Sequence, residues 1–126
     1  RRAACMEGEI RQVLNNLIGN AVDAMPRGGR LLARSRDATE WTSGRTGVVL
    51  TIADTGTGIS PEVRSRMFDA FFTTKGNDGS GLGLWICSQL IEKNGGSLRV
   101  RSRPGPGGSG TVFALFLPST TDEMQD

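Results

Sequence analysis

Most of the 18 glycines in this chain of 126 residues fall in five clusters, at 28–29, 56–58, 76–83, 95–96 and 105–110. Glycine enters turns and close backbone approaches that other residues resist, so it punctuates a chain. The clusters cut the sequence into short periodic segments, and the chain has room for one core to pack them around. Any one cluster reads as a loop. Their order, and the segments between them, carry more information.

From 9 to 25, Ile10, Val13, Leu14, Leu17, Ala21 and Ala24 recur at helical spacing, and Pro26 followed by Gly28-Gly29 stops the helix. Asn16, Asn20 and Asp23 share one helix face beside that stripe. Residues 30–36 and 48–53 read as strands joined by the polar stretch 37–47. Ser60-Pro61-Glu62 then starts a short helix that runs into Met67-Phe68: Ser as cap, Pro at the first position, Glu near the positive end. Beyond the polar, glycine-rich residues 73–81, the positions Leu82, Trp85, Ile86, Leu90 and Ile91 mark an amphipathic helix that stops at Asn94-Gly95-Gly96. Residues 97–103 alternate, and 111–117 form a more continuously apolar strand. This order predicts an α+β fold, a two-layer sandwich with helices on one face of a mixed, mostly antiparallel sheet. One domain is expected over 1–126, with 1–8 a shortened lead-in and 119–126 a flexible tail.

Composition removes several functions. The net charge of +2 is too small to imply a polyanion-binding surface, so no nucleic acid partner is expected. No apolar run approaches the roughly 20 residues of a membrane span, so no direct membrane contact is expected. The chain has no histidine, which excludes Ser-His-Asp, Cys-His and His-based metal chemistry within it. Cys5 and Cys87 lack metal-type spacing and read as buried or half-buried thiols in a reducing compartment. Arg99, Arg101 and Arg103 alternate with apolar residues, as on a solvated sheet face.

Four local features bear chemistry. Asn16 and Asn20 present two side-chain carbonyl oxygens one helical turn apart, hard neutral ligands suited to Mg²⁺, unless they merely face water. Asp54 ends an apolar strand and leads into Gly56 and Gly58; its carboxylate suits the exocyclic amine of a base, or caps a turn. Phe68, Phe71 and Phe72 read as a hydrophobic anchor for the start of a mobile loop. Gly79-Ser80-Gly81-Leu82-Gly83-Leu84 opens a helix, where freed backbone N–H groups at the positive end form an anion site. That loop is neither the dinucleotide fingerprint nor the Gly-Lys-Ser/Thr phosphate loop.

In this order the segments closely resemble the ATP-binding domain of sensor histidine kinases, in the superfamily shared with type II topoisomerases, mismatch-repair ATPases and a class of chaperones. Residues 16–24 resemble the N box, 54–59 the first glycine box, 68–75 the phenylalanine box, 79–84 the second glycine box and Gly110-Thr111 the closing motif. The resemblance implies a Bergerat-type ATP-binding fold, with the usual first strand and helix expected to be missing or reduced to residues 1–8. It implies ATP and Mg²⁺ as cofactors, with Asn20 on the metal and Asn16 its neighbour as the catalytic pair. Asp54 would take the adenine amine, Gly56 and Gly58 would line the base pocket, and Thr111 would sit near the adenine. Gly79, Gly81, Leu82 and Gly83 would wrap the phosphates, with Lys75 reaching them from a short lid over 73–81. Asp23, Ile59, Phe72, Thr74 and Leu84 complete the cofactor-binding set.

Position 16 chooses between branches of that superfamily. The hydrolysing relatives carry a glutamate there to activate water, and Asn16 cannot act as a general base at neutral pH. The expectation is transfer of the γ-phosphoryl group to a histidine on a separate dimerisation and phosphoacceptor segment of the same parent protein. A response regulator would act downstream, and a cytoplasmic location is expected whether or not the parent is membrane-anchored. The alternative is a non-catalytic nucleotide-binding module that regulates a partner.

Overall fold

The computed structural model describes residues 7–40, 42–71, 83–103 and 108–119. In chain order the elements are helix α1 (Glu7–Asp23), strands β1 (Leu31–Thr39) and β2 (Thr46–Asp54), the single turn α2 (Pro61–Arg64), helix α3 (Gly83–Lys93) and strands β3 (Ser97–Arg103) and β4 (Gly110–Pro118). The sheet has the order β1-β2-β4-β3, and all three pairings are antiparallel. The expected α+β sandwich forms, and among the described residues it contains no parallel pairing. Gly79–Leu82 and the rest of the lid, the tail from 120 and Cys5 lie outside the described residues.

Strand alternation divides the sheet into two unlike faces. Leu50 and Ile52 of β2, Phe113, Leu115 and Leu117 of β4, and Leu98 and Val100 of β3 point toward the helices and join the core. Val13 and Leu17 of α1, Cys87 of α3 and Leu115 of β4 are fully sealed from solvent. Cys87 is a free buried thiol, as expected, and burial pushes its pKa up. The two long helices are also joined at the surface, where Lys93 Nζ donates to Glu9 Oε2 (2.5 Å) and Asn94 Nδ2 to Glu9 Oε1 (3.0 Å). These bonds, that of Lys93 foremost, hold the Glu9 carboxyl below its usual value. Lys93 is exposed and Glu9 half-buried, so the pair is at the surface and its role is alignment more than stability. No helix among the described residues is long and apolar enough to cross a membrane.

Local chemistry explains where α2 starts and stops. Ser60 is extended (φ −67°, ψ 155°) and its Oγ accepts from Val63 N–H at 3.3 Å, with Pro61 in the first turn. The expected helix through Met67-Phe68 stops at Arg64, because Arg66 N–H turns to Val63 O (3.0 Å) and tightens the chain out of the α-helical ladder. Met67 still reaches the core, and Phe68 packs against it. Phe71 does not anchor anything. It adopts φ 69°, and its ring is 75% exposed. Packing does not account for Trp85 either, since it faces outward from α3 at 38% exposure.

Candidate nucleotide site

Two groups of predicted residues are brought together, one around α1 and the start of α3, the other at the β2–β4 end of the sheet. In the first, Asn16 Nδ2 donates to Gly83 O at 3.4 Å, so the asparagine face of α1 touches the helix that opens the second glycine box. This bond uses one of the two hydrogens of the amide NH₂ and does not involve Oδ1. Asn20 lies one turn further along α1 and is half-buried, whereas Asp23 is exposed in the last turn. Leu84 follows Gly83 in α3 and packs on the core.

The second group is built on Asp54 and Thr111, which are paired across β2 and β4 and are both buried. Asp54 Oδ1 accepts from Gly56 N–H at 2.8 Å, closing a turn that aims the chain back toward α1. There Thr57 N–H donates to Ala24 O at 3.1 Å. A Cβ at position 56 would lie 2.5 Å from that same carbonyl oxygen, so only glycine fits between the helix end and the loop. Gly58 has φ 77°, which favours glycine for a second reason. The loop after β2 is therefore clamped against the end of the helix that displays Asn16 and Asn20.

Two residues that sequence reasoning missed complete the clamp. Ser102 Oγ accepts from Ile59 N–H at 2.5 Å, and it lies 3.0 Å from Thr111 Oγ1 and 3.2 Å from Gly110 O. Ser109 Oγ donates to Gly56 O at 2.6 Å. The signal for Ser102 was present in the sequence. It follows Leu98 and Val100 at the core-facing positions of β3, where a polar side chain needs a partner. Replacing Ser102 with alanine leaves the Ile59 N–H without its acceptor, at a cost of about 1–3 kcal/mol. Ser102→Ala is expected to lower the melting temperature and weaken nucleotide binding together, while Ser102→Thr retains both. A Ser102→Ala protein with unchanged affinity would mean that the loop does not depend on this bond.

The remaining predicted residues, Phe72, Thr74, Lys75, Gly79, Gly81 and Leu82, lie outside the described residues. Ile59 packs against the core beside the loop. Among the described residues no group of three or more His, Cys, Asp or Glu is gathered as a metal cage. A cation at this site would depend on amide oxygens together with oxygens of its ligand and water, which suits Mg²⁺.

The antiparallel sheet with helices on one face is the fold of the histidine kinase ATPase domain, and Asp54 lies buried at one strand end beside the glycine-clamped loop. Residues 6–121 match the family model described as histidine kinase-, DNA gyrase B- and HSP90-like ATPase, and the chain belongs to that family. It is 38% identical over 109 residues to the sensor histidine kinase ZraS of Salmonella typhi, covering 86% of this chain and 22% of that protein. Among solved structures it resembles the mycobacterial sensor histidine kinase MprB at a TM-score of 0.77 and 32% identity, over 92% of this chain and 76% of that one. It also resembles full-length ShkA in complex with AMPPNP, at a TM-score of 0.68 and 37% identity, over 91% of this chain and 23% of that one. The chain thus spans about a fifth of the length of the curated relative it matches.

Proposed function

We propose that this domain binds Mg·ATP and passes the γ-phosphoryl group to a histidine on a separate helical segment, as the catalytic part of a sensor histidine kinase. The observation that carries the reading is the buried Asp54 beside Thr111, facing a loop that is clamped to the asparagine helix. Asp54 Oδ1 is fixed by Gly56 N–H, and its second oxygen accepts the exocyclic amine of adenine. Gly56 and Gly58 let the backbone lie along the ring, and Thr111 borders it. Asn20 Oδ1 holds the cation, and Asn16 is oriented beside it by its bond to Gly83. Bound Mg²⁺ supplies charge neutralisation on the phosphates. Gly79, Gly81, Leu82 and Gly83 offer backbone N–H groups to the phosphates, and Lys75 adds a positive charge.

The chemistry asked of this chain is positioning. Phosphoryl transfer runs through a transition state whose charge is spread over the phosphoryl oxygens, so fixed donors and correct alignment do most of the work. Nothing at position 16 can take a proton from water, which favours transfer over hydrolysis. The acceptor histidine and a downstream response regulator belong to other segments or chains.

The test is incubation with γ-labelled ATP and a helical hairpin carrying one histidine and an adjacent acid from a sensor kinase. The expected result is an acid-labile label on the hairpin, dependent on Mg²⁺ and lost in Asn20→Ala. If ATP binds but no hairpin is ever labelled, the domain is a nucleotide-binding regulatory module. Rapid phosphate release without any hairpin would instead make it an ATPase.

A further inference from the structure

The face of the sheet turned away from the helices carries two rails of arginine that the nucleotide site does not use. On β3, Arg99, Arg101 and Arg103 alternate with the core-facing Leu98, Val100 and Ser102, so they stand on the open face. On β1, register places Ala33 opposite the core residue Ile52, which puts Arg34 and Arg36 on the same open face. All five arginines are exposed, and none forms an ion pair with a described residue. Between the rails the floor is small or aliphatic. Arg34 pairs with Thr51, Thr51 with Ala114 and Ala114 with Arg99, so the two arginines end one transverse row. The next row runs Leu32, Ala53, Val112, Arg101, and Leu32 is 48% exposed. At the far end Arg45 lies 5.6 Å above the ring of Phe116 and engages Glu40, which closes the floor there.

We propose that this open face is a docking trough for an acidic amphipathic α-helix of a partner protein. Three strand spacings set the rails about 14 Å apart, and a helix with its side chains is about 10–12 Å across. Along β3 successive arginines are about 6.7 Å apart, close to the roughly 6 Å rise between residues i and i+4 of a helix. A helix lying along the strands thus meets each rail with carboxylates at i, i+4 and i+8, while small apolar residues rest on the Thr51–Ala114 floor. All five cations are arginine and none is lysine, and the guanidinium fork matches carboxylates in pairs. The floor has no exposed aromatic ring among the described residues, as base stacking would require, and no amide to read base edges. Among the described residues it also presents no exposed aromatic anchor of the kind with which a protein holds a bilayer surface.

The probe is a fluorescent synthetic helix with glutamates at i, i+4 and i+8 on both flanks of an alanine-leucine stripe, titrated with the intact chain. Binding is expected to weaken with added salt, and to fall about tenfold in Arg34→Glu/Arg99→Glu, with ATP affinity unchanged. A peptide with lysine in place of only the two glutamates that face positions 34 and 99 is expected to bind the doubly substituted protein better than the original, a recovery that misfolding cannot produce. Equal binding of a charge-scrambled helix, or no effect of the double substitution, overturns the proposal. So does tighter binding of a DNA duplex or of phosphatidylserine vesicles through the same arginines, which would make the face a polyanion or membrane surface. Loss of ATP binding with helix binding intact would count against the proposed function alone.

Discussion

Asp54→Asn is expected to lower ATP affinity by about tenfold to a hundredfold, while leaving the fold in place. The magnitude follows from one charge-assisted hydrogen bond of about 1.5–3 kcal/mol, at about 1.4 kcal/mol for each factor of ten. The geometry explains why so small a change in shape matters. Asp54 accepts at both ends, from Gly56 N–H inside the protein at 2.8 Å and, on the proposed reading, from the adenine amine outside it. An asparagine has one oxygen and one NH₂. If the oxygen keeps the Gly56 bond, the NH₂ confronts the amine, donor against donor; if it turns to the amine, Gly56 N–H loses its partner. At 9% exposure there is little water to repair either arrangement. Calorimetric titration with ATP checks the affinity, and a melt without nucleotide checks the fold. Unchanged affinity would remove Asp54 from base recognition. A destabilised fold with normal affinity would reduce its role to the turn it closes.

Much of this arrangement was legible in the sequence because it rests on short-range rules. Ser60-Pro61-Glu62 specifies a helix start by itself, and the cap is found where the residues place it. The 97–103 alternation forms β3 over those same residues. Periodicity on α1 picked out Val13 and Leu17, which are sealed, and put Asn16 and Asn20 beside them. What was not legible depends on strand register. That Ser102 needs a partner was readable, but not that pairing would set it beside Thr111 and within reach of Ile59 N–H. Nothing in the sequence singles out Arg34 and Arg36; the pairing of β1 at the sheet edge puts Arg34 in line with Arg99. Phe71 shows the converse failure. The sequence made it a hydrophobic anchor for the loop that follows, but the residue has a left-handed backbone and an exposed ring, and no periodicity reports such a turn.

The largest loss of stability is expected at Leu17, which lies on α1 between the two asparagines and is completely buried. Leu17→Ala removes three carbons from a core formed by α1, α3 and the inner face of the sheet. Such deletions cost about 2–5 kcal/mol, the spread reflecting how far the surroundings collapse into the space. Against a total of about 5–15 kcal/mol for a domain, that shifts the melting temperature by about 10 °C or more. Trp85→Ala deletes a larger side chain but one that is 38% exposed, so it is expected to cost less. Saturating Mg·ATP raises both melting temperatures by mass action, because ligand binds only the folded state. The gap between Leu17→Ala and the original protein should persist under nucleotide if α1 keeps its position. If ATP no longer stabilises the Leu17→Ala protein, the cavity has displaced Asn16 and Asn20, and the core beneath the helix sets the geometry of the site. Equal melting temperatures for the two proteins without nucleotide would contradict the packing of α1 described above.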